Sequence, residues 1–335
     1  MRGGFVNRAI LGILIICQFS VCFGKESPNP ADPNRYLNAV RTFADNVLKY
    51  GRDTYGPKHT PLFVDGLMVR DPNNPNYGKD GVFKPVEWIA PNGDRWILSN
   101  LASQQNLFRT LDGLTRITGD PKYKQAAMDA IKYAFENLRS PNGLLYWGGH
   151  SAYDAGADKP CGTGVHEFRA HYPYYELMWE ADPNATRTFI GALWSGHILD
   201  WSNLDMDRHC YNMTKPLNKP WDYEYKGGHV FFKSRNVGLG QSFFISGSDL
   251  FAAAALLTNL SGEKEPFVWS KRLIQRYIET REPNTGISSY IYTGKEPKLP
   301  TFDEIKEYGL TGLAYGSCFP YAPTFGDSNR RRISY

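Results

Sequence analysis

Residues 99–147 read SNLASQQNLFRTLDGLTRITGDPKYKQAAMDAIKYAFENLRSPNGLLYW. Apolar side chains recur in this stretch every three or four residues, before and after a Gly119-Asp120-Pro121 turn, which is the pattern of two amphipathic helices. We predict helices over Ser99–Gly119 and Tyr123–Leu138, ended by Pro141-Asn142-Gly143. The stretch therefore predicts a helical hairpin.

The same order of elements returns later in the chain. Ser246–Leu260 and Pro266–Thr280 are predicted helices joined by Ser261-Gly262-Glu263, and Tyr172–Trp179 with Pro183–Leu199 predict a third hairpin. Helix pairs repeated at this length are typical of an all-α fold of the α/α toroid type, in which inner and outer helices alternate around a ring. An irregular helical bundle is the alternative.

A closed ring needs more hairpins than this sequence supplies. About seven pairs of roughly 50 residues each would exceed the 335 residues of the chain, and about six would need almost all of them. Three alternatives remain: an open arc, a fragment truncated at its C-terminus, or a ring completed in another way.

Before the hairpins we predict a helix over Pro33–Tyr50. Long loops follow over Gly51–Asp94, with short β-hairpin arms in which Phe63–Val69 pairs with Glu87–Trp96.

The N-terminus has the pattern of an export signal. Arg2 and Arg8 accompany an apolar run, Ala9–Phe23, that is short for a bilayer span, and Gly24 supplies a small residue for cleavage. We predict that residues 1–24 are a signal peptide. Residues 25–335 then form one domain in the periplasm or outside the cell, and no later segment is expected to enter a membrane.

Three cysteines remain after this cleavage: Cys161, Cys210 and Cys318. A disulfide between Cys161 and Cys210 is one prediction, since exported proteins can form disulfides. Three free thiols are the alternative.

The composition excludes several classes of protein. Hydrophobic residues make up 41% and charged residues 21%, which is typical of a folded domain and not of a disordered chain. The net charge of +4 comes without a basic stripe or nucleic-acid-binding motif, which argues against a nucleic-acid partner and suits attraction of an anionic polymer. Aromatic residues reach 14%, which fits either sugar stacking or a large core.

Histidines and carboxylates concentrate in three segments that we interpret as loops or helix ends. The segments are YWGGH at 146–150, GVHE at 164–167 and DMDRHC at 205–210. Two imidazoles and a carboxylate drawn from them can hold a divalent metal, and a neighbouring arginine can recognise a substrate carboxylate. Adjacent residues on a strand or helix point apart, so only one of His166 and Glu167 is expected to face the same ligand as His150. A surface loop with local ion pairs is the alternative.

Five segments together resemble the pectate lyases of polysaccharide lyase family two, the periplasmic pectate lyases. These segments are Pro61–Gly66, Ser99–Asn106, Tyr146–His150, His166–Glu167 and Asp207–His209. The resemblance implies an α/α toroid that cleaves α-1,4-polygalacturonate by β-elimination. It also implies a transition metal, typically manganese, where other pectate lyases use calcium.

The resemblance further implies roles for single residues. In that family a histidine, a glutamate and a second histidine bind the metal, and the arginine before the second histidine acts as base. Their order and spacing match His150, Glu167 and His209, which are 17 and 42 residues apart, with Arg208 as the base. His166 would then support the site from behind. Candidate substrate contacts are Arg169, Lys233, Arg235, Tyr146, Trp147 and Tyr174, although core packing explains the aromatic ones equally well.

Alternatives remain for both the base and the function. An arginine is an awkward base because its pKa exceeds 12. Arg208 can instead stay charged and pair with the substrate carboxylate, with a lysine such as Lys233 or a tyrosine taking the proton. A glycoside hydrolase acting on uronates would need a carboxylate pair, and a pectin-binding protein without activity would need none. The carboxylates available for such a pair are Asp154, Glu176, Asp205 and Asp207.

Overall fold

The computed structural model describes residues 32–68, 83–90, 92–168, 171–232, 242–281, 283–288 and 291–294. The chain divides into two compact units, residues 1–42 and 43–335. Helix α1 begins in the first unit and ends in the second, and every other element described below belongs to the second.

Seven helices lie within the described residues. They are α1 (Arg35–Tyr50), α2 (Gln105–Thr118), α3 (Lys122–Asn137), α4 (Tyr175–Ala181), α5 (Pro183–His197), α6 (Phe244–Ser261) and α7 (Glu265–Glu279). The predicted helices agree with these bounds to within a few residues, except that α2 begins at Gln105 and not at Ser99. Ser99 is instead the last residue of a strand, and turns separate it from α2.

The helices pack as the three predicted hairpins. Helix α2 packs against α3, α4 against α5, and α6 against α7, while α4 also contacts α3 and α6. Gly119 and Gly262 end α2 and α6 in the left-handed conformation that glycine adopts most readily, so the two predicted turns are equivalent helix ends. The prediction of helical hairpins with short β arms is therefore confirmed at this level.

Thirteen short strands complete the described part of the chain. They are β1 (Leu67–Met68), β2 (Lys84–Pro85), β3 (Glu87–Ile89), β4 (Arg95–Ser99), β5 (Ser151–Asp154), β6 (Lys159–Gly162), β7 (His166–Glu167), β8 (Ile198–Asp200), β9 (Asp205–Met206), β10 (His209–Cys210), β11 (Phe231–Phe232), β12 (Ser242–Phe243) and β13 (Ile291–Thr293). All of their pairings are antiparallel, and β3-β4-β5-β6 form one sheet.

The predicted pairing of Phe63–Val69 with Glu87–Trp96 is wrong. Strand β1 pairs with β2, and β3 pairs with β4. The amide of Gly93 donates to the carbonyl of Ala90, and the positive φ of Gly93 lets the chain reverse there. The second segment therefore forms a hairpin with itself.

Asp65 joins two of the segments that carry the family resemblance. Its Oδ1 accepts from the amide of Asn100 and from Nε2 of Gln104, both at 2.8 Å. Burial raises the pKa of Asp65 to about 6, against the opposing effect of these hydrogen bonds. The Asn100 side chain then brackets Gly148, donating to its carbonyl at 2.8 Å and accepting from its amide at 3.0 Å. These bonds fix the loop that leads to His150.

Helix α6 is a core helix. By length and composition it is the one helix among the described residues that could cross a membrane, but 44% of it is buried inside the protein. It packs against α4, α5 and α7. Its buried residues include Ser246, Ser248 and Asp249, whose polar atoms bond to the protein.

Candidate metal centre

Two of the three histidine-bearing segments contain short strands where we predicted loops or helix ends. Strands β7 and β10 pair so that His209 lies opposite Glu167 and Cys210 opposite His166. Directly opposite residues on an antiparallel pair project from the same face. This register brings Glu167 together with His209 across 42 residues of sequence, and it turns His166 toward the other face. Two-residue strands are too short for an alternating pattern to reveal them in the sequence.

His150 reaches the same face from the loop before β5. Its Nε2 lies 3.6 Å from Oε2 of Glu167. The two preceding glycines allow this approach, because the loop crosses directly over Glu167. A Cβ at Gly149 would lie 1.6 Å from Oε2 of Glu167, and a Cβ at Gly148 would lie 2.3 Å from the Glu167 carbonyl oxygen. Side chains at either position would therefore collide with the glutamate.

His150, Glu167 and His209 each offer one ligand atom, and these atoms lie within 4.8 Å of one another. Nε2 of His209 is 3.4 Å from Oε1 of Glu167. Metal bonds of about 2.0–2.2 Å place neighbouring ligand atoms at roughly the separation found between His209 and Glu167. The donor set fits a transition metal better than calcium, because imidazole nitrogens suit the former and calcium prefers oxygen. Glu167 is fully buried while 40% of the His150 side chain is exposed, so the group is open on one side.

The ring of His209 is oriented from behind by two residues that were not predicted to do so. Its Nδ1 lies 3.2 Å from Oδ1 of Asp207 and 3.1 Å from the hydroxyl of Tyr211, which leaves Nε2 facing Glu167. Burial opposes a charge on His209, but the carboxylates of Asp207 and Glu167 outweigh it and hold its pKa above the usual value. A carboxylate behind a ligating imidazole is a common second partner in metal sites. The Asp-x-His spacing is the signal that could have indicated it.

Arg208 lies beside the three ligand residues. Its Nε is 3.4 Å from Oε1 of Glu167, and 15% of its side chain is exposed. The guanidinium carbon sits 5.2 Å from the centroid of the Phe243 ring. The predicted base and the predicted ligands are thus neighbours.

The predicted substrate contacts have different surroundings. Trp147 is only 1% exposed and packs edge-on against Phe189, which is at odds with stacking on a sugar. The Tyr174 hydroxyl donates to Asp112 of α2 at 2.6 Å, but the residue is only half-buried, so its contact with sugar stays a prediction. Tyr146 is half-buried, and its contact with sugar stays a prediction. Arg169, Lys233 and Arg235 lie outside the described residues.

The predicted disulfide is absent. Cys161 and Cys210 are both free thiols, on strands β6 and β10. Cys318 lies outside the described residues.

The four carboxylates considered for a hydrolase have different surroundings. Asp154 accepts from the amides of Ile97 and Gly156. Asp205 accepts from Thr293 and from the amide of Gly294, and Asp207 is engaged with His209. Glu176 is exposed on α4. Three of the four thus have structural partners.

Helix α6 holds the segment that follows Glu167. Ser246 Oγ donates to the Phe168 carbonyl at 2.6 Å, and the Asp249 carboxylate accepts from the amides of His171 and Tyr172 at 2.8 and 3.1 Å. Burial raises the pKa of Asp249 to about 7, despite these two hydrogen bonds. Burial therefore destabilises the ionised carboxylate of Asp249 relative to its protonated form.

This shift predicts a pH-dependent stability. Folding favours the protonated carboxyl, so the contribution of Asp249 is complete below its ordinary pKa and is lost as pH rises through about 7. From about pH 5 to about pH 8.5 the wild type should lose about 2–3 kcal/mol more unfolding free energy than Asp249→Asn, which cannot ionise. Urea unfolding at both pH values measures this. Ser248→Ala removes no titratable group, so its unfolding free energy should change with pH as that of the wild type does. An equal change in the wild type and in Asp249→Asn would contradict the raised pKa of Asp249.

Comparison with known proteins confirms the family resemblance. Residues 60–316 match the family described as periplasmic pectate lyase. A pectate disaccharide-lyase of Dickeya dadantii (strain 3937) is 30% identical over 285 residues, which cover 80% of this chain and 48% of that protein. The chain thus spans about half the length of this curated relative. Since the matched residues carry the three helical hairpins and the whole His-Glu-His group, the chain belongs to the periplasmic pectate lyase family.

Proposed function

We propose that this protein is a pectate lyase that cleaves α-1,4-polygalacturonate by β-elimination. The observation that carries the proposal is the convergence of His150, Glu167 and His209, with Arg208 beside them, in a chain of this family. The two imidazoles and the carboxylate would hold a divalent metal. Mn²⁺ is the first candidate, and Ca²⁺ or another transition metal is the alternative.

The chemistry of galacturonate explains why such a group is needed. The C5 proton lies next to a carboxylate, and its removal concentrates negative charge there. When bound, the metal supplies Lewis-acid stabilisation of that charge. Arg208 is proposed to accept the C5 proton on a guanidine nitrogen. The electron pair of the C5–H bond then forms the C4=C5 double bond, and the C4–O bond breaks with its electrons on the departing oxygen.

Arg208 must lose its proton to act in this way. The ion pair with Glu167 favours the charged guanidinium, so we expect activity to rise toward alkaline pH. The alternative keeps Arg208 charged against the substrate carboxylate and assigns the proton to Lys233 or a tyrosine. Tyr211 is a tyrosine in a position to do this, because its hydroxyl lies 3.1 Å from Nδ1 of His209.

We further infer that the three hairpins belong to an α/α toroid, and that the protein acts in the periplasm or outside the cell. The packing of α4 against both α3 and α6 supports the first inference, because successive hairpins adjoin as they would around a ring. The family description supports the second. The signal peptide predicted over residues 1–24 lies outside the described residues.

Metal removal tests the proposed function. Protein treated with a chelator should lose the ability to raise the ultraviolet absorbance of a polygalacturonate solution, and Mn²⁺ should restore it, because the 4,5-unsaturated product absorbs there. A hydrolase would release reducing ends without this absorbance. Binding of polygalacturonate with neither signal would indicate a protein that recognises pectin without cleaving it.

A further inference from the structure

A chain of buried hydrogen bonds runs behind the His-Glu-His group. The indole Nε1 of Trp147 donates to Nε2 of His166 at 2.6 Å, and Nδ1 of His166 lies 2.9 Å from Nε2 of His197. Nδ1 of His197 in turn lies 2.8 Å from the backbone carbonyl of Asp207. Trp147, His166 and His197 are at most 1% exposed.

The two ends of this chain fix the proton on each imidazole. An indole nitrogen can only donate, so Nε2 of His166 is an acceptor and the His166 proton lies on Nδ1. A backbone carbonyl can only accept, so the His197 proton also lies on Nδ1 and its Nε2 receives the proton from His166. Every link then has one donor and one acceptor. Burial favours neutral rings, lowering the pKa of His197 to about 4 and that of His166 well below its usual value.

Each member of the chain is attached to one of the ligand-bearing segments. Trp147 precedes His150 by three residues in the same loop, and His166 is the neighbour of Glu167 on β7. The carbonyl that receives the last hydrogen bond belongs to Asp207, whose carboxylate orients His209. His197 is the last residue of α5, and α5 packs against β10. The chain therefore ties all three ligand segments to one helix end.

We propose that Trp147, His166 and His197 are positioning residues that hold His150, Glu167 and His209 at metal-binding spacing. This inference rests on the proposed function, since it assumes that the three ligands bind a metal. Loss of one link leaves a buried ring nitrogen or carbonyl without its partner and loosens the segment attached to it. Substitutions behind metal ligands typically lower metal affinity about 10–100-fold.

Trp147→Phe tests this role, with Trp194→Phe as a matched control. Both substitutions remove a buried indole N–H with a single acceptor, which for Trp194 is the carbonyl of Leu250 at 2.9 Å. Both should lower the melting temperature. By calorimetric titration of the metal-free protein with Mn²⁺, Trp147→Phe should weaken binding at least about tenfold and Trp194→Phe should not. Equal Mn²⁺ affinities in the two variants would overturn the proposal.

The histidine protons give a second measurement that needs neither metal nor substitution. Long-range ¹⁵N–¹H NMR correlations of the wild type should show His166 and His197 as neutral rings protonated on Nδ1. A proton on Nε2 of either ring would overturn the proposed chain. Titration of the wild type with Mn²⁺ separates the positioning role from the proposed function. If the wild type binds no Mn²⁺, both proposals fail. If it binds Mn²⁺ tightly and Trp147→Phe binds equally well, only the positioning role fails.

A pair of substitutions at His197 separates positioning from packing. The side-chain amide of His197→Asn can still donate to the Asp207 carbonyl, while His197→Leu cannot. Mn²⁺ affinity should therefore fall further in His197→Leu than in His197→Asn. The reverse order would contradict the proposal.

Discussion

Replacing Arg208 with alanine is expected to lower polygalacturonate cleavage by about 10²–10⁴-fold, which is the usual contribution of a positioned acid or base. Arg208 is not one of the three metal ligands, and its Nε contacts Glu167 at 3.4 Å. Removing its positive charge should therefore not weaken the binding of a cation. Ultraviolet absorbance of the product measures the rate, and calorimetric titration measures Mn²⁺ affinity. Turnover within a few-fold of the wild type would remove Arg208 from the mechanism.

Arg187→Ala is the matched control for this experiment. Arg187 of α5 also pairs with a glutamate through Nε, at 2.6 Å from Glu263 in the turn after α6, but the two side chains are 41% and 38% exposed. Its loss should leave both turnover and Mn²⁺ affinity unchanged, since exposed ion pairs contribute little.

Arg208→Lys distinguishes the two roles considered for this residue. Lysine loses its proton at a lower pH than arginine. If Arg208 is the base, the residual activity of the lysine variant should reach its maximum at lower pH than that of the wild type. A variant with reduced activity and an unmoved pH profile would support the alternative, in which a charged Arg208 binds the substrate carboxylate.

Gly149→Ala is expected to weaken Mn²⁺ binding about 10–100-fold and to reduce turnover accordingly. The new Cβ would occupy a position 1.6 Å from Oε2 of Glu167. That oxygen is the end of a side chain, so the carboxylate can rotate away while the backbone keeps its course. The metal group then loses its spacing, whereas the fold is largely retained. Calorimetric titration with Mn²⁺ and thermal unfolding measure the two effects separately.

Gly113→Ala provides the control for glycine replacement as such. Gly113 lies inside α2, and no heavy atom lies within 4 Å of a Cβ built there apart from its chain neighbours and the backbone of its own helix. Alanine in a helix should raise stability by about 0.5–1 kcal/mol and leave Mn²⁺ affinity unchanged. If Gly149→Ala binds Mn²⁺ as tightly as Gly113→Ala does, Glu167 is not held where the geometry places it.

The sequence by itself determined the helical hairpins. Apolar residues such as Phe108, Leu111 and Leu114 recur with the helical period and are all buried on one face of α2. Glycine at 119 and 262 marks the helix ends, because few other residues adopt the left-handed backbone found there. Periodicity and helix ends are local properties, so both can be recognised in the amino-acid sequence alone. The order and spacing of His150, Glu167, Arg208 and His209 were readable for the same reason, through family resemblance.

Only the tertiary structure decided which side chains meet. The residue that faces His209 is Glu167 and not His166, because β7 and β10 pair in one register. A shift of one residue would exchange the two faces. Trp147 looked available to a sugar but is held by His166 in the interior. Asp207 was a candidate only for a hydrolase pair, and neither it nor His197 was predicted to lie behind the metal group. Such pairings join residues far apart in sequence, so they depend on strand register and helix packing, which no local pattern records.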